Sequence, residues 1–97
     1  MYAATRIYRA DSSAAEEIAR WAQESLVPQL KAIPGFRVYA LVHAGGDRYV
    51  SVSSFEDRAG AEESSRLGPA WVRENIAQYV HGAPEIIEGD VIVRADA

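Results

Sequence analysis

The chain has no cysteine among its 97 residues. That absence excludes disulfides, cysteine-ligated zinc, iron–sulfur clusters, a thiol nucleophile and thiolate-ligated haem. Histidine is nearly as scarce, and the two present, His43 and His81, are too few for a histidine-rich metal site within one chain. Positive charge is also in short supply: 10 lysines and arginines face 14 acidic residues, for a formal net charge of −4 and a pI near 5.1. Phosphate backbones and anionic membranes are bound by basic faces, so neither nucleic acid nor membrane is an expected partner. No signal-like or membrane-length apolar run is read, which leaves the cytoplasm as the expected location.

What is present is an ordinary globular composition, 48% hydrophobic and 25% charged, in a length that suits a single domain over residues 1–97. A first strand is expected over about 2–9. Ser13 and Glu16 then have the spacing of a capping box, with Asp11 adding negative charge at the helix start. Ile18, Trp21, Ala22, Ser25, Leu26, Leu30 and Ile33 recur at steps of three and four, the stripe of an amphipathic helix. Pro28 predicts a kink or restart in it, and Pro34-Gly35 ends it. FRVYALVHA and RYVSVSSF, joined through Gly45-Gly46, read as a hairpin. A second helical region over about 56–80 is expected to break at Gly68-Pro69. EIIEGDVIVR reads as a last strand, with Gly89 a possible bulge.

The order β-α-β-β-α-β is that of the ferredoxin-like α+β fold: a four-stranded antiparallel sheet with both helices on one face. Two helices cover one side of such a sheet only, yet apolar residues fall on both sides of two strands. Phe36, Val38, Ala40 and Val42 alternate against Tyr39 and Leu41, and Ile86 and Ile92 against Ile87, Val91 and Val93. A second copy of the chain, sheet against sheet, is the simplest cover, so a homodimer is expected.

On these features the chain resembles a known family. IPGF closes the first helix, FRVYALV begins the hairpin, SFED opens the second helical region and AWVREN lies on it. Together with the element order, these resemble the antibiotic biosynthesis monooxygenase (ABM) family of the dimeric α+β barrel superfamily, across essentially the whole chain. The resemblance implies a homodimeric barrel with a cavity in each subunit between sheet and helices. It also implies a cofactor-independent monooxygenase-like activity on a small apolar or aromatic substrate, with neither metal nor flavin. A non-catalytic small-ligand-binding or interaction protein of the same fold is the alternative. Another branch of the family degrades haem with a helical histidine, a nearby tryptophan and a first-strand asparagine. Here the first strand, YAATRIYR, has no asparagine, and His81 reads as a helix-end residue placed by the helix dipole.

The candidate residues follow from the second helix and the first strand. Val72, Ile76, Tyr79 and Val80 form the expected inward stripe, and Trp71, Asn75 and Gln78 lie on its flank. Trp71 and Asn75 are the candidate substrate-binding residues there, with Asn75 the candidate catalytic amide. Trp71 packing at the helix–sheet boundary and Asn75 facing water is the competing reading. Arg6 and Tyr8 alternate onto one face of the first strand, which is either the cavity wall or the dimer interface.

Overall fold

A computed structural model describes residues 1–97. Strands β1 (Tyr2–Arg9), β2 (Phe36–His43), β3 (Arg48–Phe55) and β4 (Glu85–Asp90) form one antiparallel sheet in the order β2-β3-β1-β4. Between β1 and β2 the chain runs through a 3₁₀ turn (Ser12–Ala14), α1 (Ala15–Trp21), a π-helical stretch (Ala22–Leu26) and α2 (Val27–Lys31). Between β3 and β4 lie α3 (Arg58–Asn75) and a second 3₁₀ turn (Ala77–Tyr79). The helices lie on one face of the sheet, as the element order predicts. No helix is long and apolar enough to cross a membrane.

The disturbance expected from Pro28 takes a specific form. Ile18, Ala22, Leu26 and Leu30 are buried and spaced four apart. In a regular α-helix that spacing drifts by about 40° per step away from one face. The wider π-helical stretch absorbs the drift and keeps all four side chains on the core. Pro28 then falls in the first turn of α2, where its missing N–H is least costly. Trp21, by contrast, points outward at 41% exposure.

Four further expectations are corrected. No Ser13–Glu16 capping box forms: Ser13 lies within the 3₁₀ turn and Ala14, which has no side-chain acceptor, takes the cap of α1, while Asp11 before the turn directs its carboxylate to His81 (2.5 Å). The helix does not break at Gly68-Pro69. α3 runs through Pro69, and the break comes at Ile76. Gly68, lacking a Cβ, relieves part of the clash that a proline imposes on its predecessor. Gly89 pairs regularly with Ala3, and the sheet's irregularity lies instead between Phe36 and Val38. Finally, β4 stops at Asp90, leaving Ile92 and Val93 almost fully exposed.

The bulge at Arg37 reassigns the faces of β2. It places Phe36 opposite Phe55, on the helix side, while Val38 pairs with Ser54 on the open side. Phe36 and Phe55 meet edge to face with centroids 5.9 Å apart. α3 sits directly on Phe55: a Cβ at Gly60 would lie 2.9 Å from its Cδ1. The helix starts there because the Asp57 side chain accepts the Gly60 amide hydrogen bond at 3.1 Å.

Candidate functional site

Strand alternation decides which side chains lie beneath the helices. On β1 these are Ala4, Arg6 and Tyr8. Ser53, Ser51 and Tyr49 stand opposite them on β3, and Tyr39, Leu41 and His43 continue the same rows on β2. The open side carries Ala3, Thr5 and Ile7, then Ser54, Val52 and Val50, then Val38, Ala40 and Val42. The covered face thus mixes Arg6, Ser51, Ser53 and several tyrosines with Ala4, Phe36, Leu41 and Phe55, and the uncovered face is largely apolar apart from Thr5 and Ser54.

Under the helices this face lines a cavity of about 50 Å³. Arg6, Tyr8, Tyr39, Ser51 and Ser53 line it from the sheet, and Ser64, Gly68, Trp71 and Val72 from α3. It shares Tyr39, Leu41, Tyr49 and Ala22 with an outer groove of about 420 Å³ at the β2 edge, where Gln23, Lys31 and His43 stand.

Three of the four residues proposed from sequence therefore meet in one place: Arg6, Tyr8 and Trp71. Asn75 does not line the cavity. Its Nδ2 donates to the Trp71 carbonyl oxygen at 2.9 Å, within its own helix. The expected inward stripe holds: Ile76 is buried, Val72, Tyr79 and Val80 pack against the core, and Val72, Ile76 and Val80 line the cavity, although α3 ends at Asn75 and the stripe continues past it. Trp71 joins the covered face rather than its flank, at only 4% exposure. Its indole Nε1 donates to Ser25 Oγ at 3.0 Å, tying α3 to the π-helical stretch. His81 lies beyond the helix, and its placement comes from Asp11 rather than from the helix dipole. Tyr39, Ser51, Ser53 and Ser64 were not singled out from sequence. The signal available for the two β3 serines was the alternation of RYVSVSSF, which puts them opposite its valines.

Arg6 is buried, at 5% exposure. Its Nη2 donates to Ser65 Oγ at 2.8 Å, and its Nε has no acceptor. Burial pushes the Tyr39 phenol up to about 12, reinforced by Tyr8 and partly opposed by Arg6. Tyr8 is likewise raised by burial and pulled back by Arg6. Both are therefore neutral hydroxyls at physiological pH. Above pH 10 an unfolded chain releases the Tyr39 proton while the folded chain keeps it, so stability falls as pH rises from 10 through about 12. The loss is on the order of 2–3 kcal/mol. Urea melts at rising pH should show this decline, and Tyr39→Phe should flatten it; an equal slope in the variant would refute the assignment.

No three acidic or histidine side chains come together as a metal-binding cluster. No family model matches the sequence, and no curated protein matches it. Solved structures do match. A protein provisionally described as an antibiotic biosynthesis monooxygenase, from Nitrosomonas europaea, superposes with a TM-score of 0.75 at 14% identity, over 94% of this chain and 89% of its own. A Streptomyces coelicolor monooxygenase, solved in complex with nanaomycin D, gives 0.72 at 14% identity over 97% and 92%. A Mycobacterium tuberculosis haem degrader with two haems bound in its active site gives 0.69 at 18% identity over 99% and 100%. At these identities the likeness is one of architecture, and the chain has the ferredoxin-like fold of the antibiotic biosynthesis monooxygenase structures.

Proposed function

We propose that this chain forms a cytoplasmic homodimer and binds a small apolar or aromatic substrate in a cavity within each subunit, as a cofactor-independent monooxygenase-like protein. The polar groups set among the apolar lining carry the reading. Arg6, Tyr8, Tyr39, Ser51 and Ser53 beneath the helices cost free energy if they are only packed in a core. In a ligand cavity they supply the few oriented polar groups that a mostly apolar pocket needs. The apolar open face supports the second copy, and the exposed Ile92 and Val93 just beyond β4 extend the apolar surface available to it.

In such a reaction the substrate, once deprotonated, gives an electron to dioxygen. A methylene between two rings becomes a carbonyl, keeping one oxygen atom, and the other leaves as water with the two hydrogens. The protein's part is to exclude water and to stabilise the oxyanion. Arg6 and Tyr8 are the proposed substrate contacts and Trp71 the wall. Asn75, engaged with its own helix, is expected to be dispensable.

One observation favours the non-catalytic alternative. The titratable groups lining the inner cavity are Arg6, Tyr8, Tyr39 and Tyr49, so no carboxylate or imidazole there is poised near neutrality to accept the substrate proton. Oxygen uptake with anthrone-like and quinol substrates separates the two readings. Catalysis predicts uptake that falls at least about tenfold in Arg6→Gln and is unchanged in Asn75→Ala. Binding of the same compounds without uptake would leave ligand binding alone.

A further inference from the structure

We propose that the ligand is an anion: an apolar, ring-bearing molecule held in the outer groove at the β2 edge, reaching into the inner cavity with one negatively charged oxygen group, which Arg6 neutralises. The inference rests on the ligand-cavity reading above and specifies the class of ligand. Its foundation is a charge imbalance. Arg9, Arg20, Arg37, Arg58, Arg66 and Arg94 pair with carboxylates at the surface, and Arg48 and Arg73, which have no such pair, are exposed to water. Exposed pairs of this kind contribute little. Arg6 is the buried arginine, and no carboxylate lies within 4 Å of it.

A guanidinium does not lose its proton in a protein, so burial cannot neutralise it. What surrounds Arg6 is neutral: the Ser65 hydroxyl accepts from Nη2, Ser51 stands directly opposite on β3, and Gly68 leaves its Cβ position open about 4.0 Å from Cζ. Tyr8 and Tyr39 remain phenols because burial raises both, so they supply no negative charge at neutral pH. The Nε donor is buried without an acceptor. An uncompensated buried charge is among the costlier features a small domain can carry. An anionic oxygen in the cavity, beside the guanidinium, offsets that cost on binding through a charge-assisted hydrogen bond. The same anion is either a carboxylate already ionised in solution or a phenol or enol that ionises on entering.

Isothermal titration calorimetry at neutral pH with 2-naphthoate, 2-naphthol and the neutral isostere 2-naphthamide tests this on the intact chain. The carboxylate should bind at least about tenfold tighter than the amide. That preference should vanish in Arg6→Met, whose thermal midpoint should not fall, because the substitution removes an unpaired buried charge. If Arg6→Met does not fold, Arg6→Gln and the carboxylate–amide comparison in the unaltered chain still decide. A naphtholate absorption band in the bound state identifies the source as an acid ionised in the cavity; naphthol binding no tighter than the amide identifies a pre-formed carboxylate, and naphthol binding tighter without that band overturns the proposal. Equal binding of naphthoate and naphthamide, or a preference that survives in the folded Arg6 variants, overturns the proposal. Absence of binding by all three overturns it together with the ligand-cavity reading.

Discussion

Val52→Lys is expected to convert the proposed dimer to a monomer. Val52 sits in the middle of the open sheet face, between Thr5 on β1 and Ala40 on β3's other neighbour, β2. In an isolated subunit it is 38% exposed, and a lysine there would reach water with little effect on folding. In a twofold sheet-to-sheet dimer the same patch is buried from both sides, so the substitution places two ammonium groups in a largely apolar interface. Each uncompensated charge costs several kcal/mol, so the dissociation constant should rise by about 10³-fold or more. Light scattering coupled to size exclusion should then give the monomer mass of 10.6 kDa, with an unaltered far-ultraviolet circular dichroism spectrum. A variant that keeps the mass of the unaltered protein would place the interface elsewhere.

Trp71→Ala is expected to be the most destabilising single change in the cavity wall. The indole is buried, bounds the cavity from α3, and holds Ser25 on the opposing helical segment through its Nε1 donor. Truncating a buried tryptophan to alanine typically costs about 3–5 kcal/mol, a large share of the roughly 5–15 kcal/mol that holds a domain of this kind folded. Trp71→Phe retains most of the packing and loses only the hydrogen bond, so its cost should be nearer 1 kcal/mol. Urea denaturation of the two variants separates the contributions. A cost for Trp71→Ala below about 1 kcal/mol would mean that the ring merely covers the cavity from outside and carries no part of the core.

The places where sequence reading and structure part company share a cause. The helical stripe through Ile18, Leu26 and Leu30 was legible because apolar spacing is a local property. The π-helical stretch that makes a four-residue spacing work was not, because it appears only when those side chains must reach one common core. The stripe from Val72 to Val80 was legible and holds, although the helix itself ends at Asn75. What sequence reading missed was that Trp71 is buried rather than on the flank and that Asn75 bonds within its own helix. Arg6 and Tyr8 were correctly placed on one face of β1, since alternation is intrinsic to a strand. Which face that was depended on the partners of β1, which lie far away in sequence.

The sequence by itself determined the order of strands and helices, the hairpin at Gly45-Gly46, and the presence of apolar residues on two sides of a sheet that has helices for only one. These follow from periodicity, turn chemistry and composition, all carried by near neighbours in the chain. Only the tertiary structure decided that the arginine, serines and tyrosines lie under the helices and the valines lie outside. The bulge at Arg37 and the pairing of β1 with β3 set that choice, and a sheet's faces acquire an inside only when the helices settle on one of them.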